Sequence, residues 1–251
     1  MTIDYKFLIM KIIKVLSILL LVLAIGAFVA VKYFSEEKPE GKSGGEADKV
    51  AERMLDKLNK DAYDALDYIN FEFFGGGHKY VWDKKNHKAV IEWKNNKVIM
   101  DLGTQEGTAY KDGTLIDGDE AASLMETAWS YWCNDSFWLV APYKVFDAGT
   151  TRKLVDVEEG THGLMIEYTS GGVTPGDSYL WILNEDYQPT GFKMWTQILP
   201  VQGTYVDWTK WDDYKGAKLC ITHKIVGKER SLQNVRVGNS LAEIGITNDP
   251  F

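Results

Sequence analysis

The stretch YINFEFFGGGHKYVWDKKNHKAVIEWKNNKVIMDL, Tyr68 to Leu102, carries a two-residue period. Large apolar side chains alternate with polar ones in four runs, and the runs are separated by Gly75-Gly76-Gly77, Lys84-Lys85-Asn86 and Asn95-Asn96. Alternation of this kind is typical of strands with one buried and one solvated face, and short turns join such strands antiparallel. The stretch therefore predicts an antiparallel meander with one apolar face.

The same period returns after Gly149. It predicts six further strands, over residues 154–157, 163–168, 178–183, 191–197, 203–211 and 217–225. Both groups together predict about ten or eleven strands, and an antiparallel sheet of that size must curl and have its apolar face covered.

Two segments have helical spacing and can supply this cover. In the first, Ser43 and Glu46 form a predicted capping box, and the apolar positions that follow are Val50, Met54, Leu55, Leu58, Ala62 and Leu66. In the second, Asp117 and Glu120 occupy the same capping positions, and the apolar stripe is Ala121, Leu124, Met125, Ala128, Trp129 and Trp132.

The second segment continues into YWCNDSFWLVAPYKVFD, Tyr131 to Asp147. Asn134 or Asp135 is a favourable N-cap for a new short helix from Ser136 to Ala141, and Pro142 would end it. The stretch therefore predicts a helix-turn-helix element whose bulky side chains point to one side.

The predicted fold class is α+β: a strongly curved antiparallel sheet, in effect an incomplete β-barrel, with helices covering its concave face. Two helices cover so wide a trough incompletely, so aromatic and Met side chains there can border an apolar cavity. The candidate ligand-lining residues are Trp129, Trp132, Phe137 and Trp138 on the helical element and Trp82, Trp93 and Trp181 on strands. For each of them, simple packing in the core is the alternative.

A hydrophobic segment precedes the folded part. Val15 to Val31 is uncharged, and with Ile12 and Ile13 the segment reaches about 20 residues, enough to cross a hydrocarbon core. No small-x-small cleavage site follows cleanly, which favours an uncleaved signal anchor over a cleaved signal peptide.

The charges beside this segment predict its orientation. Lys6, Lys11 and Lys14 precede it, which places the N-terminus in the cytoplasm and the globular part outside. We therefore expect a single-pass inner membrane protein with a periplasmic domain. Its predicted organisation is an anchor over 1–34, a solvated tether over 35–46 and one domain over 47–251, ~205 residues long.

Composition excludes several partners. The chain has a net charge of −8, and the part beyond the anchor is more acidic still, because four lysines lie in or beside the anchor. Neither nucleic acid nor an anionic lipid face suits such a surface. Two cysteines, Cys133 and Cys220, are too few for a disulfide framework or a metal knuckle, and they can form one bridge or remain separate thiols.

No motif predicts catalysis. The histidines lack the spacing of a zinc site, and no nucleophile elbow or phosphate-binding loop is present. The adjacent carboxylates Asp212-Asp213 and Glu158-Glu159 fit solvated turns better than a glycosidase pair. We expect a protein that is not an enzyme and has no cofactor, metal site or catalytic residue.

The order of elements, one helix, five strands, a helical element and about six strands, resembles the LolA/LolB lipoprotein-carrier superfamily over residues 47–237. The stretches Tyr131 to Trp138 and Gly171 to Asp177 are also similar to uncharacterised envelope proteins of Bacteroidota. The resemblance implies acyl chains held inside the half-barrel and a lipid or lipoprotein as partner. Members of that family are released into the periplasm or lipid-anchored, whereas this chain keeps an apolar span.

Two hypotheses follow. In the first, a membrane-tethered domain binds lipid acyl chains or lipoproteins in a hydrophobic half-barrel. In the second, the barrel is fully packed and the domain is a non-enzymatic envelope scaffold or interaction module. A cavity lined by the helical Trp residues would favour the first, and a filled interior with an exposed aromatic patch would favour the second.

Overall fold

A computed structural model describes the backbone of residues 5–251 and the burial of residues 9–251. Residues 1–4 of the predicted anchor and the side chain of Lys6 lie outside the described residues. Over the described range the α-helices are α1 (Tyr5–Phe34), α2 (Gly45–Leu58), α3 (Lys60–Asp64) and α4 (Gly118–Val140).

The strands of the described residues form two open antiparallel sheets. In spatial order the larger sheet contains β1 (Lys42–Ser43), β8 (Thr150–Val155), β9 (His162–Tyr168), β10 (Ser178–Leu183), β11 (Pro189–Trp195), β12 (Thr204–Tyr214), β13 (Ala217–Ile225) and β14 (Lys228–Ser231). The smaller sheet contains β15 (Gln233–Gly238), β2 (Tyr68–Glu72), β3 (His78–Asp83), β4 (Lys88–Trp93), β5 (Asn96–Asp101), β6 (Gly107–Lys111) and β7 (Thr114–Ile116).

This architecture confirms the predicted α+β class with an incomplete, barrel-like sheet. The strand count was predicted too low, because β1, β6, β7, β14 and β15 were missed. Four of these five form sheet edges and the fifth, β6, lies next to an edge. Edge strands bury little, and β14 has three exposed residues out of four, so they lack the alternation that marks central strands.

The meander predicted over Tyr68 to Leu102 forms strands β2 to β5. Their side chains alternate as expected: Phe71, Tyr80, Ile91 and Val98 are all buried and lie on neighbouring strands. The register pairs Phe71 with Tyr80, Tyr80 with Ile91, and Ile91 with Val98. These cross-strand pairs form the apolar floor of the smaller sheet.

The predicted capping box at Ser43 is wrong. Ser43 belongs to β1 and pairs with Lys153, and the N-cap of α2 is Gly44, with no side-chain hydrogen bond. The apolar stripe predicted from Val50 to Leu66 also does not form one helix. Asn59 adopts the left-handed conformation at φ 57° and ends α2. Its side-chain oxygen accepts a hydrogen bond from the Ala62 amide and so begins α3.

The helix-turn-helix predicted over Tyr131 to Asp147 is also wrong, because α4 runs unbroken to Val140. The polar residues that suggested a turn find hydrogen-bond partners without interrupting the helix. Ser136 Oγ donates to the Trp132 carbonyl one turn earlier, at 2.7 Å, and Asp135 points into the protein. At the start of α4, Asp117 is the N-cap without a side-chain bond, while Glu120 pairs with Lys111.

The helices cover different parts of the two sheets. Helix α2 packs on β8, β9 and β13 of the larger sheet, and α3 also contacts β13. Helix α4 contacts β5 and β6 of the smaller sheet and β13 of the larger one, so it bridges both. One helix in the described residues is long and apolar enough to cross a membrane: it covers Ile9–Phe34 in α1, and none of it is buried against the rest of the chain.

Residues 35–43, which we call the strap, lie against the larger sheet instead of extending freely into solvent. The Glu36 amide donates to the Gln202 carbonyl at 2.9 Å, and the Glu36 carboxylate pairs with Lys193 at 2.6 Å. Further along, Lys38 pairs with Glu167 at 2.8 Å, and β1 then joins the sheet edge beside β8. The strap thus connects α1 to the domain through specific contacts.

The strap contacts predict a pH response at Glu167. Burial alone would raise the pKa of this carboxyl, but hydrogen bonds and charges from Lys153 and Lys38 outweigh burial and lower the pKa to about 2. A depressed carboxylate pKa contributes stability above the ordinary value of 4.5, and this contribution disappears as the pH falls toward 2. We expect strap amides to lose protection from hydrogen exchange over that interval, measured on the full chain and corrected for intrinsic rates.

The matched variant is Glu167→Gln, which keeps the shape of the side chain and removes its charge. Its strap should exchange faster at neutral pH and should show little further change down to pH 2. An unchanged acid response in this variant would contradict the assignment of the effect to Glu167.

Candidate functional site

Helix α4 positions most of the predicted site residues, and its two halves face different sheets. Its middle lies over β3 and β4, where Trp132 contacts Trp82 and Tyr131 contacts Trp93. Its C-terminal half lies over the larger sheet, where Trp138 contacts Phe192 on β11. A site under α4 therefore has two parts with separate surroundings.

The part over the smaller sheet is closely packed. Trp132 is 7% exposed and meets Trp82 edge to face, with ring centroids 4.9 Å apart. Trp93 is 6% exposed and meets Tyr131 in the same way at 5.6 Å. Aromatic pairs in this geometry are favourable packing contacts, so this half resembles ordinary core.

A buried carboxylate lies in the middle of that half. Asp135 is 1% exposed, and its Oδ2 accepts hydrogen bonds from the Tyr80 hydroxyl at 2.6 Å and from His78 Nδ1 at 2.7 Å. Its Oδ1 accepts from the side-chain amide of Asn134 at 2.7 Å. We call Asp135, His78 and Tyr80 the polar latch, because the three side chains join α4 to β3.

The contacts of the polar latch hold α4 in place on β3. Burial, together with the neighbouring Asp135 carboxylate, raises the pKa of Tyr80 far above its usual range, so its hydroxyl remains a donor. The His78 ring stacks on Tyr131 with centroids 4.0 Å apart and lies near Phe73. Its described contacts are thus a carboxylate and two ring faces, which fix α4 on β3.

The part over the larger sheet is an aromatic cluster, which we define as Trp138, Trp181, Phe192, Trp208 and His223. Trp181 meets both Phe192 and Trp208 edge to face at 5.0 Å. The His223 ring lies 4.2 Å from that of Trp208 and 5.5 Å from that of Trp138. All members except Trp138 are fully buried.

Several polar atoms in the aromatic cluster have no hydrogen-bond partner among the described residues. They are Nε1 of Trp181, Nε1 of Trp208 and both ring nitrogens of His223. A buried polar group without a partner costs about 1–3 kcal/mol. Burial lowers the pKa of His223 to about 4, and an interaction with the Trp138 backbone, which does not reach normal hydrogen-bond geometry, offsets only part of that shift, so the ring is neutral at physiological pH.

The structure does not bring the seven predicted lining residues together around one space. Trp82, Trp129, Phe137 and Trp138 are half-buried, and Trp93, Trp132 and Trp181 are buried. Trp138 and Trp181 meet through Phe192 over the larger sheet, whereas Trp132 and Trp82 meet over the smaller one. Phe137 packs on Tyr179 at 4.6 Å. Their role in holding a ligand stays a prediction.

Two surface pockets lie elsewhere. One, of about 250 Å³, is beside the strap and includes Lys38, Asp177 and Thr196 in its lining. The other, of about 200 Å³, lies on the smaller sheet and includes Asn70, Lys79 and Pro250. Neither is lined by any of the seven predicted residues.

Sequence reasoning missed the polar latch and His223. Asp135 was assigned to a turn, although it lies three residues after Trp132 and four before Leu139, which places it on the buried stripe of one continuous helix. This helical spacing was the signal in the sequence that could have identified Asp135 as a buried residue of α4. For His223 the only signal was its position within an apolar strand.

The described part of the chain contains no cluster of side chains suited to metal binding and no paired cysteines. No group of three His, Cys, Asp or Glu side chains there could hold a metal ion. Cys133 and Cys220 are both free, and burial raises their pKa values to about 11 and about 12. The two cysteines are thus separate thiols in this structure.

No protein-family model matches the sequence, and no curated protein matches it either. Among solved structures the chain is similar to a DUF1329 family protein from Desulfovibrio piger, at 9% sequence identity and a TM-score of 0.42. That likeness covers 79% of this chain and 96% of the other, and it is too distant to indicate a function.

The polar latch predicts the effect of removing one hydroxyl group. Tyr80→Phe keeps the ring stacked on Phe71 but deletes a hydrogen bond to a carboxylate, so we expect the free energy of unfolding to fall by about 1.5–3 kcal/mol. Chemical denaturation of the full chain in detergent measures this value.

The control is Tyr68→Phe, on the neighbouring strand β2, where the hydroxyl makes no described side-chain hydrogen bond. It should change stability by much less. The double variant Tyr80→Phe with Asp135→Ala should be less destabilised than the sum of the single changes, because each single change removes the same bond. Strict additivity would contradict the contact between Tyr80 and Asp135.

Proposed function

We propose that this chain is a membrane-anchored, non-enzymatic domain that binds the acyl chain of a lipid or lipoprotein between α4 and the larger sheet. Helix α1 is the anchor, and the domain lies in the periplasm. The order of elements that resembles the LolA/LolB superfamily supports this proposal, since a helix, a meander, the bridging helix α4 and a second run of strands follow one another in the fold.

The observation that carries the proposal is the set of unpartnered polar atoms in the aromatic cluster. Two indole N–H groups and a neutral imidazole lie among apolar rings, where each loses its hydrogen bonds to water. A ligand with an oxygen acceptor would receive hydrogen bonds from the N–H groups of this set and would replace ring contacts with acyl contacts. The unpartnered N–H groups of the aromatic cluster would therefore contribute favourable free energy when such a ligand binds.

The chemistry of these atoms indicates the kind of head group. Indole N–H groups only donate, and a neutral imidazole donates from one nitrogen and accepts at the other. The described cluster contains no charged side chain, so a phosphate or an ammonium group would be poorly compensated. An ester carbonyl, an amide carbonyl or a protonated carboxyl group at the end of an acyl chain fits this environment.

Entry of the chain requires α4 to separate from the larger sheet. Phe137 and Trp138 are only half-buried there, whereas the polar latch fixes the middle of α4 to the smaller sheet. The C-terminal half can move away while the latch stays closed. Each Å² of acyl surface removed from water then contributes about 25 cal/mol to binding.

The second candidate function is an interaction domain with a filled interior. The burial of Trp132 and Trp93 and the position of both described cavities away from α4 favour it. The two candidates differ in whether the aromatic cluster opens, which a ligand probe can test directly.

A photoreactive fatty acid tests the proposed binding site. We expect it to label peptides from the C-terminal half of α4 and from β11 in the full chain held in lipid nanodiscs, with competition by unlabelled fatty acid. His223→Phe keeps an aromatic ring of similar size but removes both ring nitrogens, so labelling should fall while the fold persists. Peptide mapping by mass spectrometry measures the sites.

The matched control is Trp93→Ala on the smaller sheet. It should cost about 3–5 kcal/mol of stability as a core deletion, yet it should leave labelling of the folded fraction unchanged. Wild-type protein that takes no label under α4 at any probe concentration would support the packed interaction domain instead.

The proposed orientation has its own test. Protease added outside intact spheroplasts should remove everything after about Lys32, the first charged residue after the apolar span. Detergent-permeabilised spheroplasts serve as the control for protease access. A domain protected in intact spheroplasts and cleaved after permeabilisation would show that the orientation is reversed.

A further inference from the structure

The loops of the larger sheet divide into two sets. Its neighbouring strands are antiparallel, so successive loops alternate between the two ends of the sheet. The register places Glu167 beside Ser178, and Ser178 beside Trp195, which brings the loops after β9 and β11 to one end. Val206 pairs with Ile225, so the turn after β13 lies at that same end.

This end presents exposed apolar side chains on every loop. Phe146 precedes β8 and is 41% exposed, Val173 follows β9 at 46%, Ile198 follows β11 at 66% and Val226 follows β13 at 83%. We call these four residues the apolar end. Residues 169–176 and 196–206 contain no charged side chain, in a chain of which 25% is charged.

The opposite end has the reverse character. The loops after β8 and β10 carry a cluster of exposed acidic residues, which we call the acidic end: Asp156, Glu158, Glu159, Glu185 and Asp186. Scattered exposed apolar residues are usual on protein surfaces, but their concentration at one end of a sheet and of carboxylates at the other is not.

The membrane helix joins the domain at the apolar end. Ser35, the residue after α1, accepts a hydrogen bond from the Gln202 amide at 3.1 Å, and the Glu36 amide donates to the Gln202 carbonyl. Gln202 lies in the same loop as Ile198. Two residues of chain span at most about 7 Å, so this loop lies within that distance of the end of α1.

We infer that the apolar end of the larger sheet rests on the bilayer and that its loop tips insert into the interface. The inference depends on the proposed role of α1 as anchor and is independent of whether an acyl chain binds under α4. The uncharged loops that carry Val173 and Ile198 suit the boundary between head groups and acyl chains. The acidic end then points away from the membrane, where like-charge repulsion from lipid phosphates is weakest.

Site-directed fluorescence can test this arrangement on the full chain in phosphatidylcholine vesicles. Ile198→Cys and Val226→Cys are made with Cys133→Ala, while Cys220 is retained because it is fully buried. A polarity-sensitive dye on either new cysteine should shift its emission to shorter wavelength and lose intensity when spin-labelled lipid is included. The matched control is Glu185→Cys at the acidic end, which should show neither change.

The outcomes separate the two proposals. Quenching at Ile198 and Val226 but not at Glu185 supports the inference. Aqueous spectra at all three positions, or equal quenching at all three, overturn it even if photolabelling under α4 succeeds. Failure of the protein to float with the vesicles would overturn both the anchor and the membrane-facing end, whereas the acyl-binding site would still be tested by its own labelling experiment.

Two double variants control for a change in loop position caused by the dye itself. Ile198→Glu with Val226→Glu places charges at the interface and should restore aqueous emission at a dye on Phe146→Cys. Glu158→Leu with Glu185→Leu at the acidic end should leave that emission unchanged. An identical response to both pairs would contradict a specific membrane-facing end.

Discussion

One helix, α4, has to pack on both sheets at once, and the arrangement of the molecule depends on that constraint. Neither sheet closes on itself within the described residues, and α2 and α3 pack mainly on the larger one, whereas α4 packs on strands of both. A helix in that position must present apolar residues in two directions. It also needs one contact that fixes its rotation, and the buried Asp135 supplies that contact by accepting hydrogen bonds from His78 and Tyr80.

The sequence predicted those parts of the fold in which local pattern and tertiary environment agree. The two-residue period of Tyr68 to Leu102 was sufficient for β2 to β5, because each strand has one buried face. The turn at Asn134-Asp135-Ser136 failed for the opposite reason: its polar residues favour a helix start in isolation, but here tertiary partners satisfy Asp135 and the preceding turn satisfies Ser136. Edge strands such as β14 bury too little to leave a pattern.

The candidate site shows the same division. Trp132, Trp138 and Trp181 could be singled out because bulky aromatics on a covering helix and on central strands must meet something. Which of them meet could not be predicted, because contacts between sheets depend on how far α4 runs before it ends. The polar groups that distinguish the two halves, Asp135 in one and His223 in the other, become visible only when burial and partners are known.

The strap limits how far the domain can travel. If the nine residues were a flexible linker, their root-mean-square end-to-end distance would be about 15–18 Å, and the folded domain could move that far from its attachment point. Hydrogen bonds and ion pairs from Glu36 and Lys38 to the larger sheet remove that freedom. With α1 embedded in a bilayer, the domain could serve only the patch of membrane directly beneath it. Under the proposed function, a lipid destined for a distant membrane would have to pass to another, freely diffusing protein.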